Sequence, residues 1–156
     1  MKKLLRSIEI NAPVESVYEF LTTPSNLPSI WPSLVAVTNV ERKADGTHSF
    51  DWTYKMAGMH FHGHAKPVEV KPNRLVVTHN DEGIPSTFRW TYEPKGAGTH
   101  LTVEVEYSLP TPIIGRIAEA VMAKMNEREL EVLLANAKST LESARRAQPA
   151  APAVAH

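Results

Sequence analysis

Apolar and polar residues alternate through most of the middle of this chain. The clearest run is Thr47–Met56, in which Phe50, Trp52 and Tyr54 share one face and polar residues occupy the other. A period of two is typical of a strand with one buried face. Turn residues separate similar runs, which predict further strands from Leu34 to the Asp45-Gly46 turn and over Met59–Val70, Leu75–Asn80, Ser86–Glu93 and Leu101–Tyr107.

The start of the chain combines a strand with helical turns. Residues Leu4–Ile10 alternate and predict a first strand, and Pro13 then begins a short amphipathic helix that reaches Leu21. Three further prolines end this helix and leave room for at most one more short turn, around Asn26–Trp31. One strand and one or two short helices therefore precede the main group of strands.

A long helix is predicted at the other end of the chain, over Thr111–Arg146. Pro112 lies where a first turn tolerates a missing N–H, and good helix formers fill most later positions. At about 1.5 Å per residue such a helix spans about 50 Å, more than a small core buries end to end. The helix therefore needs a broad partner surface.

The apolar stripe of this long helix changes face at residues 126–129. It consists of Ile114, Ile117, Ala118, Val121 and Met125 in the first half, and of Leu130, Leu133, Ala137, Leu141 and Ala144 in the second. The two stripes are rotated by roughly 150° on a helix of 100° per residue. We expect the second half to pack as core, and the first half to form a movable wall at the mouth of a pocket.

The order of these elements predicts the fold class. Tight turns between the strands imply antiparallel neighbours, and one polar face on each strand implies a sheet with a solvated side. The apolar side must then cover the long helix. An antiparallel sheet bent around a helix is an α+β architecture.

Composition narrows the classes of partner. The 156 residues suit one domain, placed at 1–146, and the Ala- and Pro-rich residues 147–156 are predicted to form a disordered tail. Seventeen Lys and Arg balance seventeen Asp and Glu, which argues against nucleic acid as a partner. No apolar run is long enough for stable membrane insertion, so a cytoplasmic protein is expected. Because cysteine is absent, disulfides and thiolate metal sites are excluded.

Several strings in this order resemble a known family. They are IEINAPVESVYEFLTTPSN, WTYKMAGMHFHGHAKPVEVKPNRLVV, STFRWTYEPKGAGTHLTVEVEYSLP and MNERELEVLLANAKSTLES. Together they resemble the START-like (SRPBCC) superfamily, in its bacterial polyketide cyclase/dehydrase and lipid-transport branch, over Leu4 to Glu142. The resemblance implies a helix-grip fold, in which a seven-stranded antiparallel sheet wraps the C-terminal helix and leaves a hydrophobic cavity between them.

What the resemblance implies about function is broader. Members of the superfamily bind lipids, sterols, polyketides or plant hormones, and some cyclise or dehydrate their ligand. The matching pattern is one of fold and carries no catalytic set that could be transferred residue by residue. Function must therefore be argued from the site.

The candidate residues of a ligand cavity are mostly aromatic. On the apolar sheet face they are Phe50, Trp52, Tyr54, Phe61, Phe88, Trp90 and Tyr92, and on the helix Val121, Met125 and Arg128. Trp and Tyr suit small-molecule sites because they combine apolar area with one polar group, although the same rings could simply fill a core. Gly63 and Ala65 among bulky neighbours suggest unfilled space.

Two polar residues of the helix extend the apolar stripes. Arg128 continues the first stripe and Asn126 the second, so either could point inward. A buried cation needs a partner, so Arg128 would be paired, bind an acidic ligand group or extend to solvent, the last being favoured.

Three histidines, His60, His62 and His64, alternate on one strand. Neighbours in this pattern lie roughly 7 Å apart and the outer two about 13 Å apart, so one strand alone cannot supply three metal ligands. A solvated outer face explains them better, which leaves His60 and His62 as weak metal candidates only. No cofactor motif is present, and none is expected to be needed.

Three functions follow as hypotheses. The first is a binding module that carries or sequesters a small hydrophobic ligand between sheet and helix. The second is a cyclase or dehydratase of a polyketide-like substrate, which requires a titratable side chain with a perturbed pKa in the cavity. The third is a protein-interaction module, which requires a large apolar patch on the outer face. The oligomeric state is not indicated by the sequence.

Overall fold

The structure is a computed structural model that describes residues 1–109 and 111–147, without the side chains of residues 111 and 113. Its elements follow one another as β1 (Lys2–Ile10), α1 (Val14–Leu21), a 3-10 turn (Pro24–Asn26), α2 (Leu27–Ile30), β2 (Leu34–Arg42), β3 (His48–Met56), β4 (Met59–Lys71), β5 (Leu75–Asn80), β6 (Ser86–Lys95), β7 (Gly98–Tyr107), α3 (Thr111–Ile114) and α4 (Arg116–Ala147). This order confirms the predicted α+β fold class.

The described residues form a seven-stranded sheet with the strand order β1-β7-β6-β5-β4-β3-β2. Every neighbouring pair is antiparallel. Each predicted strand is present, with small differences at the ends. In the β6–β7 hairpin, for example, Lys95 still pairs with Gly98, so both strands continue to the turn itself.

The sheet is bent where its ladders are interrupted. Pro67 lies inside β4, where it cannot donate a backbone hydrogen bond, and the pairing with β5 shifts register between Pro67 and Glu69. Strand β2 has two such shifts against β3. Register shifts of this kind increase local twist and bending, which is how a sheet comes to curve around a helix. The seven-stranded sheet and long C-terminal helix confirm the helix-grip fold.

The predicted continuous helix over Thr111–Arg146 is wrong at its beginning. Gly115 has φ of +80°, a conformation that glycine adopts without steric cost, and it separates α3 from α4. The long helix therefore starts at Arg116 and has 32 residues.

The apolar residues of the helix change face as predicted, but Ile117, Val121 and Met125 of the first half face solvent. The buried residues of α4 form one stripe, made of Met122, Leu130, Leu133, Leu134, Ala137 and Leu141. The second half packs as core, as predicted. In the first half the inward position belongs to Met122, whereas Ile117, Val121 and Met125 are 85%, 55% and 43% exposed. The buried stripe could not be recognised from apolar residues alone, because the polar Asn126 lies in it between Met122 and Leu130.

Hydrogen bonds fasten the C-terminal half of α4 to the end of β1. The Lys138 ammonium donates to the Glu9 carbonyl and to the Glu142 carboxylate, each at 2.7 Å. The backbone N–H of Asn11 donates to the same carboxylate, at 2.8 Å from Glu142 Oε2. Arg145 donates to the Asn11 side chain at 2.8 Å. Apart from the Lys138–Glu142 pair within α4, these contacts join residues more than a hundred positions apart and fix the helix over the sheet.

A second fastening joins α4 to α2 and the loop that follows. Asn136 Nδ2 donates to the Ile30 carbonyl at 2.9 Å, which satisfies a carbonyl in the last turn of α2. The Ser33 N–H donates to Glu129 Oε1 at 2.6 Å. The segment between α1 and β2 is thereby held against the helix.

Two further expectations concern the C-terminal tail and membrane insertion. The predicted disordered tail at 147–156 lies outside the described residues, apart from Ala147 at the end of α4. None of the helices in the described part of the chain combines the length and apolar character needed to span a bilayer.

The Glu142 contacts predict a pH-dependent stability. Hydrogen bonds from Lys138 and from the Asn11 N–H lower the pKa of Glu142. A carboxylate with a lowered folded-state pKa stabilises the fold above its unfolded pKa, and this contribution is lost as pH falls through the folded pKa. We expect Glu142→Gln to reduce the free energy of unfolding by about 1 kcal/mol at pH 7.

Urea unfolding at pH 7 and at pH 3 measures this effect. The difference between wild type and Glu142→Gln should shrink at the lower pH, because the stabilisation from the carboxylate is lost as the pH falls towards and through its lowered folded-state pKa. Glu93→Gln, on the exposed face of β6, is the matched control and should change little at either pH. A difference for Glu142→Gln that is equal at both pH values would contradict the assignment.

Candidate ligand cavity

A cavity of about 150 Å³ lies between the concave face of the sheet and the covering segments α1–α2 and α4. Its walls are mainly apolar side chains of the central strands and of the segment between α1 and β2. Six of the predicted aromatic residues line it: Phe50, Trp52, Tyr54, Phe88, Trp90 and Tyr92. Alternation on β3 and β6 places all six on the same face of the sheet.

Four predicted cavity residues lie elsewhere. Phe61 pairs with Tyr54 across β3 and β4 and is buried, but it belongs to the core outside the cavity. Val121 and Met125 are exposed, as is Arg128. Helix phase explains Val121 and Arg128: Met122 and Leu130 face the sheet, and positions one or two residues away from them are rotated by about 100° or more.

The space that Gly63 suggested is filled by Trp52. A Cβ at Gly63 would overlap the six-membered ring of Trp52, and one at Gly83 would come within 3.2 Å of the same ring. Two glycines therefore let the indole lie flat on the backbone. Trp52 Nε1 donates to Asn80 Oδ1 at 2.9 Å, and Asn80 Nδ2 donates to Ser86 Oγ at 3.0 Å. The polar edge of the ring is thereby satisfied inside an apolar wall.

Polar groups gather where α4 crosses the cavity. The Tyr54 hydroxyl donates to Asn126 Oδ1 at 3.1 Å, and Asn126 Nδ2 contacts Met56 Sδ at 3.5 Å. Burial raises the pKa of Tyr54, and the nearby Glu129 carboxylate raises it further. Burial likewise raises the pKa of Tyr107, which lines the same end. These phenols therefore stay protonated and act as hydrogen-bonding groups rather than as bases.

Tyr92 marks a second, drier part of the lining. Burial raises its pKa, and its ring meets the ring of Tyr18 edge to face with centroids 5.2 Å apart. Such pairs stabilise the packing beyond the area that they bury. This end of the cavity is consequently a rigid aromatic wall.

Trp31 bridges the two sides of the concave face. Its ring centroid lies 6.1 Å from that of Tyr54 on β3 and 5.6 Å from that of Phe88 on β6. Two strands separate β3 from β6, so the sheet positions of these rings are about 14 Å apart. Phe88 in turn stacks on Trp90 at 6.2 Å. The result is a continuous aromatic surface across the cavity.

Sequence reasoning missed Trp31, Asn80, Tyr107 and Glu129 as lining residues. The alternation of β5 and β7 would have placed Asn80 and Tyr107 on the inner face. The true phase of α4, which continues from Met122 through Asn126, would have identified Glu129. No pattern signalled Trp31, because it follows a four-residue helix and has no periodic neighbours.

The histidine strand faces the other way. His60 is exposed, His62 Nδ1 lies 3.0 Å from Thr53 Oγ1, and His64 Nδ1 lies 2.7 Å from Asp51 Oδ1. Hydrogen bonds from Asn39 and then from His64 lower the pKa of Asp51. Across the described residues, no three His, Asp or Glu side chains are placed to share a metal ion.

The cavity therefore offers apolar area with few ionisable groups. Within the described chain, the ionisable side chains of the lining are those of His48 and Glu129, besides the tyrosines. His48 Nδ1 lies 3.3 Å from the Thr22 carbonyl. Enclosure by aromatic walls with a small polar end is the arrangement that orients a small apolar molecule.

The fit of Trp52 over Gly63 yields a prediction. Gly63→Ala should displace the indole, weaken its bond to Asn80 and reduce the free energy of unfolding by about 1–3 kcal/mol. Chemical unfolding followed by tryptophan fluorescence measures both the stability and a shift of the native emission spectrum.

Gly115→Ala is the control for this experiment. At Gly115 nothing lies near the added Cβ, so only the cost of φ at +80° applies and the native emission should not move. A native emission spectrum in Gly63→Ala that matches that of wild type would contradict the proposed contact.

Comparison with known proteins was made against families, curated proteins and solved structures. No curated protein matches the chain. Protein TTHA0849 from Thermus thermophilus is similar at a TM-score of 0.79 and 19% identity, covering 92% of this chain and 99% of that one. The Zhui aromatase/cyclase from Streptomyces sp. R1128 has a TM-score of 0.78 at 16% identity, with 96% and 99% covered.

A third neighbour points to the same fold. It is a START superfamily protein from Mycobacterium smegmatis, with a TM-score of 0.72 at 17% identity over 91% of this chain and 98% of that one. At such identities these likenesses show the fold alone. The family model described as polyketide cyclase / dehydrase and lipid transport matches residues 1–142, so the chain belongs to this START-like family.

Proposed function

We propose that the protein binds a small hydrophobic molecule in the cavity under α4. The observation that supports this most is an apolar, aromatic-lined space of about 150 Å³. An apolar cavity of about this size in another protein stays dry and binds benzene, whereas pockets for drug-sized ligands occupy about 300–1,000 Å³. The proposed ligand is therefore a compact ring compound, and a larger lipid would require the aromatic side chains to move.

The fold also fits a carrier role. Lys138 and Glu142 hold the C-terminal half of α4 to the end of β1 at 2.7–2.8 Å, whereas Glu119 in the N-terminal half lies 4.0 Å from Lys2 at the start of β1. Entry of a ligand past the N-terminal half of α4 would disturb fewer of these interactions than entry past its C-terminal half. The proposed protein sequesters or carries its ligand.

An enzyme of the cyclase or dehydratase type is the second candidate. Its support is the Glu129 carboxyl group near the Tyr54 hydroxyl at the polar end, since general acid–base catalysis needs such groups within reach of the substrate. One of the structural neighbours is an aromatase/cyclase by name. The two candidates differ in whether a bound compound is recovered unchanged, which extraction followed by mass spectrometry determines.

A protein-interaction role has less support. Polar residues such as His62, His64 and Glu104 occupy the outer face of the sheet, where such a module would need an apolar patch.

Filling the cavity should weaken ligand binding. Thr78 lines the floor from β5, and Thr78→Phe places a ring in the space where the ligand is proposed to lie. We expect the affinity for ethylbenzene, measured by isothermal titration calorimetry, to fall at least about tenfold, the equivalent of 1.4 kcal/mol.

Thr102→Phe is the matched control, because Thr102 lies on the outer face of β7 between two inward residues, Leu101 and Val103. It should bind ethylbenzene as wild type does. Equal binding by wild type and Thr78→Phe would show that the ligand lies elsewhere, and a wild-type protein that binds no uncharged ring compound of this size would contradict the proposed function.

A further inference from the structure

One buried donor in the cavity has no acceptor. The indole Nε1 of Trp31 is shielded from solvent, and no hydrogen-bond partner for it exists among the described residues. A buried donor that loses its partner costs about 1–3 kcal/mol, so native proteins leave few of them unsatisfied. A group that supplies an acceptor oxygen at this position would recover that free energy.

The neighbouring side chains do not serve as that acceptor. Burial and Glu129 raise the pKa of Tyr54 while the nearby Trp31 indole acts to lower it, but the indole N–H and the Tyr54 hydroxyl do not meet in hydrogen-bond geometry. The Tyr54 oxygen keeps acceptor lone pairs while its proton is donated to Asn126, but it lies outside hydrogen-bond geometry for the Trp31 N–H. The Trp31 N–H is therefore the free donor at the polar end of the cavity.

The charges around this donor restrict the ligand further. Within the described residues no Lys or Arg side chain lines the cavity. The one carboxyl group in the lining, on Glu129, lies at the same end and receives the Ser33 N–H. An anionic ligand group would lose its hydration without gaining a cation, and it would be repelled by Glu129.

We infer that the ligand is an uncharged ring compound with an acceptor oxygen, such as a ketone carbonyl, that receives the Trp31 N–H. Carboxylates and phosphates are excluded from this position. The inference rests on the proposed binding function and narrows its ligand class. Trp31 then contributes to ligand specificity through its indole N–H, in addition to the apolar contact that its ring makes.

Three probes of nearly equal size test the inference. Ethylbenzene is apolar, acetophenone adds a carbonyl oxygen, and benzoate adds a negative charge. Isothermal titration calorimetry on the full chain should rank acetophenone about tenfold tighter than ethylbenzene, from one buried hydrogen bond. Benzoate should bind at least about tenfold more weakly than acetophenone.

The variant Trp31→Phe keeps an aromatic ring and removes the N–H. It should lose the preference for acetophenone over ethylbenzene, measured as the ratio of the two affinities in the same variant, because the loss of ring area weakens the binding of both probes alike. Trp90→Phe, which alters another tryptophan of the lining, is the matched control and should keep the preference. If Trp31→Phe does not fold, the Trp31 indole ¹H–¹⁵N resonance of wild type provides the same answer. It should shift downfield with acetophenone and much less with ethylbenzene.

The outcomes separate the two proposals. Equal affinity for ethylbenzene and acetophenone, or benzoate binding as tightly as acetophenone, would overturn the inference and leave the binding function intact. A preference that survives in Trp31→Phe would also overturn it. Failure of all three probes to bind would overturn the proposed function and the inference together.

Discussion

The molecule depends on how α4 is held across the concave face of the sheet. A bent sheet with aromatic rings on its inner face exposes a large apolar area unless something covers it. The cover is fixed by polar contacts rather than by apolar packing alone. Lys138 and Glu142 bind the end of β1, while Asn136 binds the last residue of α2 and Glu129 binds the segment after it. Because these contacts lie beside the core stripe of the helix, they set its position without filling the space beneath its middle.

That placement explains why a cavity persists. Trp31 follows α2, which Asn136 ties to α4, and its ring reaches both Tyr54 and Phe88. The rings hold one another in edge-to-face and tilted contacts, so they resist collapse into the remaining volume. Trp52 is kept flat by Gly63 and by its hydrogen bond to Asn80. Space is thus left between rigid aromatic walls, with its polar groups at one end.

The strands and their inner faces were predictable because period-two alternation depends only on neighbouring residues. The phase of α4 was not, since its inward stripe mixes Met122 and Asn126 with leucines while an apolar stripe faces solvent. The break at Gly115 depends on a backbone conformation that glycine permits but does not require. The lining residues of the cavity divide in the same way. Trp52 and Trp90 were predictable from the alternation of their strands, whereas the position of Trp31 and of its unpaired nitrogen depends on contacts between distant segments. Gly63 was misread as empty space because the ring that fills it comes from the adjacent strand.

The central claim is that a dry, apolar cavity exists beneath α4 and accepts a small guest. A crystal structure determined under xenon pressure tests it most directly, because xenon enters apolar cavities of this size without needing any polar contact. The account predicts xenon density among the rings of Trp31, Tyr54 and Phe88, with the positions of the lining side chains unchanged. A core without bound xenon, in which these rings have closed upon one another, would contradict it.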